Sequence, residues 1–201
     1  ADSLFYAEPR FVQHLDAACR ASISELHGRL LPPRGRVLDL MASWDSHLPD
    51  TAADCHVAGL GLNPEELAAN PRLRERVVKD LNERDDLPWG DAQFDVVLCT
   101  ASIEYLTRPR GVLAEARRVL RPGGVCILTF SDRWFPSKAI RIWSLLHPFE
   151  RLGFALALLQ DAGFQDLHSE TLRGRQRPED DKYIAQRGYA DPLFAAWGKA
   201  P

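Results

Sequence analysis

The stretch FDVVLCTASIEYLTRPRGVLAEARRVLRPGGVCILTF, residues 94–130, decides the fold. Its opening six residues form a short, largely apolar and β-branched run, which reads as a strand. Residues 110–120 carry an amphipathic helical pattern that Arg121-Pro-Gly-Gly124 stops. From Gly124 a second apolar run, VCILTF, follows to Phe130. Strand, helix and strand in that order form a βαβ unit, whose two strands run parallel.

The same alternation extends upstream. Residues 36–40 (RVLDL), 56–60 (HVAGL) and 76–80 (RVVKD) read as strands. A helix over 64–70 begins with Asn63 as cap and Pro64 at its first position. Downstream, 137–146 and 149–162 read as helices, and Gly163 ends the second. Strands are expected at 164–170 and 193–197. The pattern predicts an α/β fold of the Rossmann-like kind. Its sheet should have about seven strands, mainly parallel with the last one antiparallel, and helices on both faces. Ligands of such sheets bind beyond the carboxyl ends of the strands. Ahead of the first strand, Phe11, Val12, Leu15, Ala18, Cys19, Ser22, Ile23 and Leu26 recur at helical spacing behind Pro9. Residues 1–34 are therefore expected as a helical lead-in to a single domain spanning 1–201.

At 201 residues, one domain is the default expectation. The net charge of -3 and a pI near 6.1 do not suggest a nucleic-acid partner. The arginines at 173, 175 and 177 read as a solvated loop. None of the four cysteines has a partner at metal or redox spacing, which points to a reducing compartment, the cytoplasm. Without an apolar run near ~20 residues, no membrane partner is expected. Monomer and homodimer both remain open.

Read in order, LDLMASWDSH (38–47), GLGLNPEEL (59–67), Asp80-Leu81, FDVVLCTASIEYL (94–106) and RVLRPGG (118–124) resemble a class I S-adenosylmethionine-dependent methyltransferase. The resemblance covers roughly residues 35–131 and implies S-adenosylmethionine as cofactor. Within it, Asp39 orients the first loop near the cofactor's amino group. Asp80 accepts from the adenine amino group, the Leu81 N–H bonds the ring, and Thr100, Ala101 and Ser102 line the floor under the sulfonium. Gly59, near the end of the second strand, is expected among the cofactor-binding residues.

Two departures stand out. The family's first loop carries glycines where this chain has Met41, Ser43 and Asp45. That predicts a different loop path, with Ser43 or Ser46 hydroxyls replacing backbone contacts. The family's ribose-binding acid falls at Gly61, so Asn63 or Asp45 is expected to reach the ribose. A dinucleotide site is not indicated, because Gly59-Leu-Gly61 follows the second strand and lacks a third glycine.

For catalysis, His47 is a candidate general base, although a histidine near a helix start is commonly structural. Tyr105 stands where related enzymes face substrate; a packing tyrosine would have the same signature. Arg10 and His14, four apart, are expected on one face of the lead-in helix, contacting substrate or the methionyl carboxylate. Trp134, with Phe135, Ile142 and Trp143, forms either an apolar substrate lid or the underside of a helix. The function implied is in-line methyl transfer to a small-molecule acceptor, with no metal. The alternative is a non-catalytic binding or regulatory protein on the same fold.

Overall fold

The computed structural model describes residues 5–181, 183–185 and 187–201. The first four residues of the expected lead-in lie outside them. Seven strands form one sheet in the order β3-β2-β1-β4-β5-β7-β6. They are β1 (Arg36–Leu40), β2 (His56–Gly61), β3 (Leu73–Val78), β4 (Phe94–Thr100), β5 (Leu120–Phe130), β6 (Gln165–Leu172) and β7 (Leu193–Lys199). β1 to β5 pair in parallel, and β7 inserts antiparallel between β5 and β6. The helices are α1 (Ala17–Leu30), α2 (Pro64–Ala69), α3 (Pro109–Val119), α4 (Arg141–Leu145) and α5 (Pro148–Asp161).

Central strands are apolar because both of their faces are covered. Val37, Leu38, Val96, Val97 and Leu98 are all fully buried. One face packs Val97, Leu128 and Phe130 against Val112, Ala116, Leu152 and Leu159 of α3 and α5. The other packs Val37, Val57 and Ile127 under Leu26 of α1. The switch in strand order falls between β1 and β4, so the crevice opens beyond their carboxyl ends.

Four expectations need correction. The lead-in is not helical from Phe11; the helix begins at Ala17, capped by Asp16, whose carboxylate accepts from the Cys19 N–H at 2.7 Å. Phe11 and Val12 stay 51% and 54% exposed, so the apolar stripe that suggested a longer helix has no core to face. Arg10 and His14 thus share no helix face. β3 covers Leu73–Val78 instead of 76–80; it is an edge strand that turns Leu73, Glu75 and Val77 inward and leaves Arg74, Arg76 and Val78 exposed. The helix expected over 137–146 shortens to Arg141–Leu145. Arg177 is not solvated: its side chain is 1% exposed and buried among carboxylates.

Candidate functional site

A cleft of about 910 Å³, open solvent included, lies at the carboxyl ends of the parallel strands. Its walls come from Met41, Ala42 and Ser43 after β1, and from Gly61 to Asn63 after β2. Lys79 to Asn82 follow β3, and Ala101, Ser102 and Tyr105 follow β4. Tyr6, Arg10 and His14 of the lead-in and Phe135 and Lys138 beyond β5 close the mouth.

The first loop keeps a glycine-like backbone without glycine. Met41 has φ 57° and Ala101, facing it after β4, has φ 49°, both in the left-handed region that L-residues populate sparsely. The loop continues as an extension of β1, with the Ala42 N–H donating to the Leu60 carbonyl at 2.8 Å. That places the Ala42 carbonyl oxygen 2.2 Å from where a Cβ on Gly61 would stand. A carboxylate cannot occupy position 61, because its Cβ has no room. Asn70, fully buried, braces the loop from behind by donating to the Ser43 carbonyl at 2.8 Å and Ser46 Oγ at 2.9 Å.

The acid in this part of the cleft is Glu66. Its carboxylate accepts from Ser43 Oγ at 2.5 Å and from the Arg10 backbone N–H at 2.7 Å. Asn63 is engaged elsewhere: its oxygen caps α2 by accepting from Glu65 and Glu66 N–H, and its amide donates to the Tyr6 and Ala7 carbonyls. Across the cleft, Asp80 accepts from the Asn82 N–H at 2.8 Å. Asn82 donates to the Tyr105 carbonyl and accepts from Thr107, tying the ends of β3 and β4 together.

A smaller recess shares Met41, Ala42, Ser43, Ala101, Ser102 and His14 with the main cleft and adds Gln13, Asp39, Asp45, His47 and Thr100. Burial pushes the Asp39 carboxyl up to about 7, against a hydrogen bond from Ser46. The hydroxyl of Thr100 is buried without a protein partner. His47 Nδ1 pairs with Asp45 Oδ2 at 3.2 Å and its N–H donates to Asp45 Oδ1. The His47 side chain accordingly holds the Asp45 carboxyl well below its ordinary range.

Among the expected site residues, Met41, Ser43, Asn63, Asp80, Leu81, Tyr105, Arg10 and His14 meet in the main cleft, and Asp39, His47 and Thr100 line the recess. Two stand apart. A Cβ on Gly59 would lie 2.5 Å from Leu73 Cδ1, so that glycine makes room for β3. Trp134 stacks on the Arg151 guanidinium, 5.1 Å away, while its neighbour Phe135 faces the cleft. Tyr105 accepts from the Phe135 N–H at 3.0 Å, and burial, with Glu104 beside it, pushes its hydroxyl pKa upward, so it stays protonated. Sequence reasoning missed Glu66, Asn82 and Lys138, whereas Phe135 reads from the sequence as part of an apolar substrate lid or the underside of a helix. Glu66 carries no distinctive signal, since acids in a helix's first turn are ordinary dipole partners.

The lead-in is clasped to the far end of the chain. The Asp16 N–H donates to Asp191 Oδ2 at 3.0 Å, and the Asp191 N–H returns to Asp16 Oδ2 at 2.6 Å. Arg177 joins both, with Nη2 2.8 Å from Asp191 Oδ1 and Nη1 3.4 Å from Asp16 Oδ2.

The family model described as a methyltransferase domain matches residues 40–128. A ubiquinone/menaquinone biosynthesis C-methyltransferase of Roseobacter denitrificans is 35% identical over 115 residues, 54% of this chain and 44% of that protein. The human thiol S-methyltransferase TMT1B is 33% identical over 127 residues, 58% of this chain and 51% of that one. The alignments thus span about half the length of these curated relatives. A Thermotoga maritima structure described as an S-adenosylmethionine-dependent methyltransferase, possibly acting on histamine, superposes with TM-score 0.62 at 19% identity, covering 90% of this chain and 89% of that one. Matched domain and shared fold agree with the strand-end motifs: residues 40–128 are similar to the methyltransferase-domain family, and the chain has the fold of a solved structure described as an S-adenosylmethionine-dependent methyltransferase.

Proposed function

We propose that the chain binds S-adenosylmethionine in this cleft and transfers its methyl group to a small-molecule acceptor. The observation that carries the proposal is the convergence of Asp80-Leu81, Glu66 and the Ala101-Ser102 turn on one cleft at the ends of parallel strands. The residues fit the cofactor. Asp80 and the Leu81 N–H suit the adenine edge. Glu66, with Ser43, suits the ribose hydroxyls, taking over from an acid that position 61 cannot hold. Asp39 and the unpartnered Thr100 hydroxyl suit the ammonium end in the recess.

When bound, S-adenosylmethionine supplies a methyl already activated on sulfur, so the protein's task is alignment and exclusion of water. Phe135, Tyr6 and the Tyr105 ring wall the mouth against water. Tyr105, held protonated, keeps a hydroxyl proton to offer a bound acceptor and takes no proton. His14 borders both cleft and recess and lies edge-on to Phe135, with ring centroids 5.2 Å apart. It is better placed than the Asp45-bound His47 to take a proton from an acceptor in the main cleft. The cytoplasm is the compartment proposed, since all four cysteines are buried and unpaired.

Calorimetry with S-adenosylhomocysteine is expected to give micromolar binding, and absence of heat together with an unshifted melting temperature refutes the cofactor. Methyl-labelled S-adenosylmethionine should then be offered a panel of small thiols, phenols and amines. Transfer to one class supports the enzyme; binding with no transfer to any favours the regulatory alternative.

A further inference from the structure

With S-adenosylmethionine seated as proposed, one part of the cleft is left over. Asp80 and Leu81 suit the adenine, Glu66 and Ser43 the ribose, and Asp39 and Thr100 the ammonium end in the recess. What remains is the mouth, walled by Tyr6, Arg10, Tyr105, Phe135 and Lys138. The two acids that line the main cleft, Glu66 and Asp80, both fall in the cofactor's share. Lys79 is drawn to Asp86, with Nζ 2.8 Å from Oδ2. Among the described residues, the mouth is thus lined by three aromatic rings and two cations, with no carboxylate.

Arg10 is held there as a fixed donor. Its guanidinium carbon sits 4.0 Å over the Phe5 ring centroid and 5.7 Å from those of Tyr6 and Phe135. Nη2 donates to the Phe5 carbonyl at 2.8 Å. Glu66 meets the backbone N–H of Arg10, and among the described residues no carboxylate forms an ion pair with the guanidinium. Aromatic contact covers the faces of a guanidinium and leaves its edge N–H groups to donate in plane, the geometry that takes a carboxylate by two parallel bonds. Lys138 Nζ stands over the same Phe5 ring at 4.6 Å, so a second cation borders the same part of the mouth. Arg10 lines the main cleft and does not line the recess that suits the methionyl end, so its charge faces something other than the methionyl carboxylate.

We propose that the methyl acceptor is a small aromatic carboxylic acid, its carboxylate held by Arg10 and Lys138 and its ring laid against Phe135 and Tyr6. The proposal rests on the methyltransferase reading and narrows its acceptor. Flat rings pack edge-on or offset against the rings of the wall, and the apolar surroundings strengthen the charge pair. A carboxylate whose lone pairs are engaged by two cations is a poor nucleophile, so the anion is the handle and a hydroxyl, thiol or amine elsewhere on the acceptor takes the methyl. A lone pair of that group forms the bond to the methyl carbon, and the carbon–sulfur bond breaks with its electrons staying on sulfur. The proton the nucleophile gives up passes to His14.

The test is calorimetry on the full chain saturated with S-adenosylhomocysteine, titrated with benzoate, phenylacetate and cinnamate and with the primary amide of each. The amides keep the shape and lose the charge. At least one acid should bind about tenfold more tightly than its amide, and added salt should narrow the gap. Arg10→Gln should erase that preference with the melting temperature and the S-adenosylhomocysteine affinity unchanged. Arg10→Lys should keep part of it, as a point charge without the fork. Equal binding of acid and amide in all three pairs, or binding of none, overturns the proposal on the wild-type protein alone, whether or not the variants fold. An Arg10→Gln protein that loses affinity for S-adenosylhomocysteine and keeps the preference also overturns it, since Arg10 would then hold the cofactor's own carboxylate. Failure of S-adenosylhomocysteine itself to bind removes the methyltransferase reading, and this proposal with it.

Discussion

Met41 stands where the resembling family carries a glycine, and Gly61 where it carries an acid. Met41 accepts a left-handed backbone at a cost of about 1–3 kcal/mol. The loop it sets puts the Ala42 carbonyl against Gly61, where only a hydrogen fits. Gly61→Ala is therefore expected to destabilise the protein by about 1–3 kcal/mol and to weaken S-adenosylhomocysteine binding, because relief requires moving the first loop. Urea unfolding and calorimetry on the variant measure both; a variant as stable as wild type would contradict the packing. Glu66→Ala should raise the S-adenosylhomocysteine dissociation constant by about tenfold or more, from the loss of a buried charged acceptor. The effect should shrink when the 2′-deoxyribose analogue is the ligand, and equal losses for both ligands would remove Glu66 from the ribose.

The element with most leverage on the cleft is the lead-in, which crosses its mouth yet is fastened outside it. Arg177 neutralises Asp16 and Asp191 in a setting where all three side chains are 1% exposed. Removing one partner of such a group leaves buried charge uncompensated, a loss of about 3–5 kcal/mol. Arg177→Met is expected to lose that much stability. Arg177→Lys should recover only part, because an ammonium cannot reproduce the guanidinium's fork. Denaturant midpoints of the two variants decide this, and a fully stable Arg177→Met protein would show the clasp to be dispensable. The Arg-Gly-Arg-Gln-Arg run from 173 to 177 looked like a solvated loop because sequence cannot say that Asp16, 161 positions away by number, lies opposite.

At the scale of the whole molecule, three buried groups shape the dependence of stability on pH. Burial pushes Asp39 up to about 7 and Glu104 up to about 8, so both stay protonated in the folded protein over a range where the unfolded chain, with ordinary values of 3.8 and 4.5, has ionised them. The folded state then binds more protons, and stability falls as pH rises from about 4 toward about 8. His27, fully buried, is lowered by burial from 6.5 to about 4 and stays neutral; its contribution is lost as pH falls from 6.5 to about 4. Both Glu104 carboxylate oxygens are buried without protein partners, so Glu104→Gln should flatten the alkaline decline between about pH 5 and 8. Chemical denaturation across that range measures it, and an unchanged slope would mean that Glu104 ionises freely in the folded state.

Local pattern determined the sheet. The apolar runs at β1, β2, β4 and β5, the Asn63-Pro64 start of α2 and the Pro-Gly-Gly stop after α3 are consequences of neighbours in the chain, and each is legible because burial on both faces demands an unbroken apolar strand. Order along the chain was likewise enough to bring Asp80, Leu81, Met41 and Ser43 to the strand ends. The tertiary structure alone decided what depends on groups distant in sequence. It started the lead-in helix only after Asp16, buried Arg177, turned Trp134 away and Phe135 in, and denied position 61 a side chain. Each of these outcomes is a contact across the fold, and periodicity records which way a residue faces but not what it meets there.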